Sequence, residues 1–377
     1  MGKAPPELME ELVEEVLLRF PPDDPASLVR ASLVSKRWCR LVSRRGFRRR
    51  FRERHRAATV LGVLCTVNGD DDAGLGNGDA SCFVPTGSFR PRRAHCSDCC
   101  AIDARHGRVL LHRPLKSRTE NPGFVVWDPV TGEEWEVPPS PRCPYTWSAA
   151  LLCAGGGDCD HLNCRGGPFL VVVVVVVSVQ SWKTCVDVYS SEANVWREQA
   201  SVQQADNKRI DLLQTAGVLV GNALYFMLLS HTEILEYNLC TREISKIQLP
   251  PVPGRPNALT ITMDDQLGFD MTHKTTIYLW LREASPQGEA RWAQRRVDDL
   301  MKLLPFRAIL GGVRVVGFMD DVSLIFVQTI NELFAIDLKS QHARKLSERK
   351  VSEWPTWDIV IPYVSFYTPV VGTVSTG

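Results

Sequence analysis

Val126-Trp127-Asp128-Pro129-Val130-Thr131-Gly132, with Trp135 shortly beyond it, runs from an apolar strand into a polar turn and out again. A β-branched and aromatic run that ends at Asp-Pro and Gly predicts a β-hairpin. The same course recurs in three later segments: Val188-Tyr189-Ser190-Ser191-Glu192-Ala193-Asn194-Val195-Trp196, Glu236-Tyr237-Asn238-Leu239-Cys240-Thr241-Arg242-Glu243-Ile244 and Ala335-Ile336-Asp337-Leu338-Lys339-Ser340. The chain therefore contains a repeated hairpin.

The spacing of these hairpins indicates the architecture. The turn residues Asp128, Ser190, Asn238 and Asp337 are separated in turn by 62, 48 and 99 residues, the last being about two periods. We therefore expect a degenerate copy near Trp292. A period near fifty residues matches a kelch-type blade and predicts a β-propeller of six or seven blades, in preference to a β-sandwich.

Short apolar runs separated by Gly, Pro, Asp and Asn extend from residue 57 to residue 377, which is enough chain for such a propeller. The longest of them, Phe169 to Val177, includes seven consecutive valines. It is about half of the ~20 residues that a membrane helix requires, and we interpret it as a buried strand.

Composition narrows the class of protein. Lys and Arg (44) nearly balance Asp and Glu (43), so the whole chain carries no field that would attract nucleic acid. We expect the twelve cysteines to lie in a reducing compartment, the cytoplasm and/or the nucleus, because no apolar secretory signal follows Met1. We expect no association with a membrane.

The first sixty residues show helical rather than strand periodicity. An apolar face recurs at intervals of three and four residues up to Phe20, where Pro21-Pro22 ends the first predicted helix. Asp24 before Pro25 predicts an N-cap and a second helical run, and Phe47 with Phe51 indicates a last short helix. Three or four short helices bury little surface, so part of this apolar face is expected to meet a partner.

The stretch from Leu8 to Trp38 resembles the F-box motif at the correct spacing throughout. The resemblance implies docking to the Skp-type adaptor of an SCF (Skp, cullin, F-box) ubiquitin ligase. By resemblance, the residues that make or support the adaptor interface are Leu8, Leu12, Val16, Leu17, Phe20, Pro21, Leu28, Leu33, Val34 and Trp38. Met9 and Ser35 depart from the family's usual proline and cysteine, and neither introduces a charge.

The repeats beyond residue 57 are similar to the F-box-associated β-propellers common in plant F-box proteins, and Trp127 to Gly132 is the closest stretch. The chain is thus expected to be α+β: a small helical F-box (1–56) followed by a large all-β domain (57–377) that binds an unidentified target protein. The resemblance implies a non-catalytic substrate receptor that reaches a cullin through its adaptor. The alternative is a propeller enzyme or a carbohydrate or protein binder with a helical cap.

Residues 36–56 carry eleven basic side chains and one acidic side chain. Such a run can bind nucleic acid or direct nuclear import. A solvated helix face is the preferred interpretation, because no aromatic side chains are interleaved for stacking bases. Nucleic acid is therefore not an expected partner.

Clustered cysteines raise the question of a metal. Cys96 and Cys99 could combine with Cys159, His161 and Cys164 in a zinc site, since thiolates and imidazole favour tetrahedral zinc. The intervals are irregular, so unliganded thiols are the preferred interpretation, and we expect neither a cofactor nor a catalytic residue. No glycine-rich segment has the lysine of a phosphate-binding loop.

Overall fold

A computed structural model of the chain describes residues 9–22, 24–55, 59–67, 80–91, 95–96, 99–113, 120–142, 144, 146–155, 159, 161, 164–177, 183–203, 210–213, 215–254, 256–261, 266–283, 290–310, 312–319, 323–330, 332–348 and 357–365. Short N-terminal helices precede an all-β propeller of six four-stranded blades. The sequence prediction of helices followed by a propeller is confirmed, and the blade number is the smaller of the two expected.

The N-terminal helices are α1 (Glu10–Leu17), α2 (Pro25–Val34), α3 (Lys36–Ser43) and α4 (Arg45–His55). They enclose a small core of their own, formed by Val13, Leu17, Leu18, Leu28, Ala31, Leu41, Val42, Phe47 and Phe51. The second predicted helical run is divided at Ser35, whose backbone is extended and whose Oγ accepts a hydrogen bond from the Trp38 N–H at 3.1 Å. A serine N-cap starts α3 there.

The strands follow in chain order, and each group of four pairs antiparallel throughout. Blade 6 contains β1 (Val60–Val67), β2 (Ala80–Pro85) and β3 (His95–Cys96). Blade 1 contains β4 (Cys100–Arg105), β5 (Arg108–Arg113), β6 (Gly123–Trp127) and β7 (Glu134–Val137). Blade 2 contains β8 (Thr146–Cys153), β9 (Phe169–Val177), β10 (Lys183–Ser190) and β11 (Val195–Gln203). Blade 3 contains β12 (Val218–Val220), β13 (Ala223–Met227), β14 (Glu233–Asn238) and β15 (Ile244–Gln248); blade 4 contains β16 (Pro256–Ile261), β17 (Leu267–His273), β18 (Thr276–Glu283) and β19 (Arg291–Asp299). Two short helices, α5 (Leu300–Leu303) and α6 (Phe306–Ile309), lead to blade 5, which contains β20 (Val313–Met319), β21 (Leu324–Thr329), β22 (Glu332–Asp337) and β23 (His342–Glu348).

The last strand, β24 (Trp357–Val364), closes the ring. It pairs with β1 as the innermost strand of blade 6, so this blade is built from the first and last strands of the described chain. The predicted domain boundary after residue 56 falls among residues 56–58, which lie outside the described residues.

The core lies between neighbouring blades. Val171, Val173 and Val175 of β9 pack towards blade 1, whereas Val172, Val174 and Val176 pack towards blade 3. Side chains alternate across a strand, and a strand between two blades is buried on both faces, so it requires apolar residues at consecutive positions. The valine run is therefore a buried strand, as predicted. None of the helices in the described part of the chain is long and apolar enough to cross a membrane.

The repeated hairpin joins the third and fourth strands of a blade. In three of the turns, one Oδ1 of the first residue accepts two backbone N–H groups: Asp128 from Val130 (2.9 Å) and Thr131 (3.2 Å), Asn238 from Cys240 (2.9 Å) and Thr241 (3.0 Å), and Asp337 from Lys339 (2.8 Å) and Ser340 (3.1 Å). Such Asx turns explain why a polar residue stands where the third strand ends in these three blades. The degenerate copy expected near Trp292 is β18–β19, and that prediction is also confirmed.

Strand direction separates the two faces of the propeller. Because neighbouring strands are antiparallel, first-to-second and third-to-fourth connections emerge on one face, and all other connections emerge on the opposite face. The chain enters the propeller from the helices at the start of β1, which is the second strand of blade 6. The start of a second strand lies on the same face as the first-to-second connections, so the helices lie on that face. Ser88, in the β2–β3 connection, donates a hydrogen bond to Asp24 at 2.7 Å on this side. We call the two surfaces the helix face and the far face.

Candidate docking surface and propeller channel

An exposed apolar surface on the N-terminal helices is the first candidate site. Leu12 and Val16 lie one turn apart on α1 and are 50% and 53% exposed, while Leu33 and Val34 at the end of α2 are 77% and 66% exposed. Large apolar side chains left exposed on a small domain mark a candidate contact surface for a partner. We call these four residues the apolar docking surface.

The other residues predicted for the adaptor interface have different environments. Leu17 and Leu28 lie inside the helical core, and Phe20 and Trp38 pack against that core while half-buried. Pro21 is exposed, and Leu8 lies outside the described residues. The residues that the resemblance groups together thus divide into exposed ones that a partner can contact and buried ones that hold the helices in place.

The break between α2 and α3 determines how Leu33 and Val34 are presented. The extended Ser35 stops α2 directly after Val34, so these two side chains stand at a helix end rather than within a packed helix. In the sequence, Ser35 stands out only as a departure from the family's usual cysteine. The serine preceding Lys36 was the available signal for this N-cap.

The arginine-rich segment forms α3 and α4, and its basic side chains contact the acidic helix α1. Arg50 donates to Glu14, Arg54 donates to Glu15 at 3.2 Å, and Arg44 donates to Glu10. Arg49 forms an exposed pair with Glu53 at 3.2 Å. Much of this basic charge is therefore balanced within the helical domain, which favours a structural role over phosphate binding.

A cavity of about 590 Å³ lies along the inner strands of blades 3 to 6 and is the second candidate site. Val218, Pro256 and Arg314 stand at or near the starts of their first strands, and His231 lies in a second-to-third turn. These positions lie towards the far face, whereas Phe318 and Pro362 in the same lining lie near the ends of their first strands, so the cavity follows the inner strands between the two faces. A pocket of this size with a few polar groups can bind a side chain or a small ligand.

A buried carboxyl group lies behind the cavity wall. Asp270 of β17 is completely buried, and its Oδ2 accepts a hydrogen bond from Nδ2 of Asn257 at 2.7 Å. Burial raises the pKa of Asp270 to about 7, while hydrogen bonding and the Arg314 guanidinium act in the opposite direction. Because Asn257 separates this group from the cavity, the arrangement serves packing better than proton transfer to a ligand.

The cysteines are arranged differently from the prediction. Cys99 is buried in the core between blades 6 and 1, and it does not belong to the cluster that contains Cys159, His161 and Cys164. The side chain of Cys96 lies outside the described atoms. Cys153, which is not among the predicted ligands, is the fourth member of that cluster. The missed signal was that Cys153, the last residue of β8, precedes Cys159 by only six residues, in the same short segment as His161 and Cys164.

Comparisons with known proteins agree with this architecture. Residues 6–50 match the F-box domain family, and residues 100–371 match the family described as F-box protein AT5G49610-like, beta-propeller. No curated protein matches the chain. The chain is similar to TolB from Acinetobacter baumannii (8% identity, TM-score 0.45, covering 79% of this chain and 67% of that chain). It is also similar to the periplasmic gluconolactonase PpgL from Pseudomonas aeruginosa (14% identity, TM-score 0.42, covering 77% and 84%). Likenesses at this level carry no argument about activity.

Proposed function

Because the chain belongs to the family of F-box proteins with an AT5G49610-like β-propeller, we propose that it is the substrate-receptor subunit of an SCF-type ubiquitin ligase. F-box domains generally bind Skp-type adaptors. The observation that carries the proposal for this chain is the apolar docking surface, whose four large side chains are exposed on α1 and α2. A Skp-type adaptor would cover that surface and connect the chain to a cullin.

The propeller would hold the protein to be ubiquitinated. Its far face, with the cavity bordered by His231, Asn257 and Arg314, is the proposed contact region because it points away from the docking helices. In this role the chain supplies no reacting group; it raises the effective concentration of target lysines near the ubiquitin-charged enzyme. The proposed places of action are the cytoplasm and the nucleus.

Substitution on the docking surface tests the proposal. Leu12→Asp places a charge on a side chain that is already half exposed, so the helical core should survive while adaptor binding is lost. A central interface side chain typically contributes about 2 kcal/mol or more, so affinity should fall at least about 30-fold. Co-elution of the purified chain with a Skp-type adaptor, followed by calorimetric titration, measures the effect.

Leu229→Asp is the matched control, because Leu229 is 54% exposed and lies in a far-face turn of blade 3. It should bind the adaptor as the wild type does. Equal binding by Leu12→Asp and Leu229→Asp would overturn the interface assignment. A wild-type chain that fails to bind any Skp-type adaptor would overturn the proposed function itself.

A further inference from the structure

Four side chains that can bind a metal lie at the end of β8 and in its connection to β9. The ligand atoms of Cys153, Cys159, His161 and Cys164 all lie within 4.8 Å of one another. Three thiols and one imidazole form one of the ligand sets found in structural zinc sites. We infer that these four residues bind one zinc ion, which holds this connection in a fixed conformation.

The distances fit tetrahedral coordination. The Sγ atoms of Cys153 and Cys159 are 3.6 Å apart, and Sγ of Cys164 lies 3.5 Å from Nδ1 of His161. Zinc–sulfur bonds of about 2.3 Å and zinc–nitrogen bonds of about 2.0–2.1 Å give tetrahedral edges of about 3.8 Å and 3.6 Å. The widest pairs need to close by only about 1 Å to complete the shell.

The propeller fixes both ends of the cluster. Cys153 is the last residue of β8 and pairs in register with Phe169, the first residue of β9. Cys164 begins a single 3₁₀ turn (Cys164–Gly166) that leads into β9, and the Gly167 N–H closes this turn on the Cys164 carbonyl at 3.0 Å. Cys153 is therefore anchored by strand pairing and Cys164 by the turn that leads into β9, which lowers the entropic cost of assembling the site.

Gly155 leaves space for the side chains of the cluster. Its N–H points to Sγ of Cys153 at 3.4 Å, a contact that stabilises a sulfur carrying negative charge. A Cβ at this position would lie 3.0 Å from Cys159 Cβ, 3.4 Å from Cys159 Sγ and 3.5 Å from Cys153 Sγ. A side chain at residue 155 would therefore crowd two of the ligands, which explains why glycine suits this position.

The neighbouring blade supports the fourth ligand. His106, in the β4–β5 turn of blade 1, stacks on His161 with ring centroids 3.8 Å apart and an interplanar angle of 20°. In the same region Arg108 donates to the Gly167 carbonyl and lies over the Phe169 ring at 5.1 Å. His106 is thus a positioning residue for the imidazole, and a bound ion would connect blades 1 and 2 on the helix face.

The ligand set also indicates the metal and its role. Soft thiolates with one imidazole suit zinc, whereas magnesium and calcium prefer oxygen ligands. Four protein ligands complete a tetrahedral shell, and a shell without an open position for water is typical of structural rather than catalytic zinc. The zinc would therefore stabilise the helix face without adding an activity.

Metal analysis of the full chain tests the inference. We expect one zinc per chain by native mass spectrometry and elemental analysis of protein prepared with zinc and thiol reductant. Cys159→Ser and Cys164→Ser should lose the metal, while Cys240→Ser, which alters an exposed cysteine in a blade 3 turn, should retain it. Cobalt substitution should give the intense visible bands of tetrahedral thiolate coordination. A metal-free wild type, or a Cys153–Cys159 disulfide in reduced preparations, would overturn the inference.

A second measurement does not depend on whether the cysteine variants fold. Removing the metal from the wild type with a chelator should increase hydrogen exchange at the end of β8 and the start of β9 and leave blade 4 unchanged. His106→Ala should lower zinc affinity about tenfold in competition with a chromophoric chelator, as loss of supporting contacts to metal ligands typically does. Unchanged exchange after chelation would contradict the structural role, and unchanged affinity would contradict the positioning role of His106.

Discussion

The fifth residue of each repeated hairpin turn has a left-handed backbone conformation. The φ angles are 79° at Gly132, 52° at Asn194, 61° at Arg242 and 54° at Gln341. Glycine and asparagine adopt this conformation readily, whereas arginine and glutamine do so at a cost of about 1 kcal/mol. The blades therefore share one turn geometry, although only two of these four turns have a favourable residue at the position that demands it.

Gln341→Gly should stabilise the propeller. The substitution removes the steric strain of a Cβ at φ 54°, which outweighs the greater freedom of glycine in the unfolded chain, for an expected net gain of about 0.5–1 kcal/mol. The shift of the urea unfolding midpoint measures this gain. Lys339→Gly in the same turn is the control, since Lys339 does not have a positive φ and should lose stability on substitution. Equal shifts for the two variants would refute the backbone explanation.

At the scale of elements, α1 and α4 are held together by unequal ion pairs. Glu14 is largely buried where it meets Arg50, with only 11% of its side chain exposed, whereas Glu53 beside Arg49 is 60% exposed. A buried charge that loses its partner is costly, while an exposed pair typically contributes only about 0–1 kcal/mol. These contacts explain why so basic a helix can pack within a small domain.

The two arginines should accordingly respond differently to substitution. Arg50→Met leaves the Glu14 carboxylate without its arginine and should loosen α4 from α1, which would appear as faster hydrogen exchange across residues 47–55. Arg49→Met should change exchange there much less, because both Arg49 and Glu53 face water. If the two variants exchange alike, the Glu14 contact does not stabilise the packing of these helices.

The hairpins were the elements that the sequence predicted best. A polar residue such as Asp128 or Asn238 is required by local backbone geometry, so its signal is present in a short segment. Contacts between blades are harder to predict from the sequence, because the partners are remote from one another along the chain. Trp196 donates a hydrogen bond to the Pro138 carbonyl and Trp292 donates one to the Gln248 carbonyl, both at 2.9 Å. The repeated tryptophans were visible, but their cross-blade hydrogen bonds were not.

At the scale of the whole molecule, the number of blades could not be counted from the repeats. Blade 6 combines β24 with β1, β2 and β3, so its strands are separated by almost the whole chain and form no local repeat. The cysteine cluster escaped prediction for a related reason. In the sequence, Cys153 resembles the last residue of an apolar strand and not a metal ligand. Cys99 was predicted as a possible zinc ligand together with Cys159, although it is buried in a different core. Ring closure and side-chain convergence depend on contacts between distant segments.

Two buried groups have opposite effects on the pH dependence of stability. Burial raises the pKa of Asp270 to about 7, whereas burial lowers the pKa of His112, beside Trp147, to about 4. Between about pH 4 and 6.5 the folded chain therefore keeps Asp270 protonated and His112 neutral. The unfolded chain does the reverse, since its aspartate is ionised and its histidine is charged. Both states bind one proton at this pair of sites, so the pair contributes almost no pH dependence in that window.

Removing either group should expose the contribution of the other. In Asp270→Asn only His112 remains, the unfolded state binds the extra proton, and the free energy of unfolding should rise with pH by about 3 kcal/mol from pH 4 to 6.5. In His112→Phe only Asp270 remains, the folded state binds the extra proton, and stability should fall by a similar amount as pH rises over that window. Urea unfolding across this pH range measures the change of each slope from that of the wild type, and the double variant should return to the wild-type slope. Slope changes of the same sign in the two single variants would show that these groups do not titrate oppositely, because opposite proton uptake on unfolding requires opposite changes.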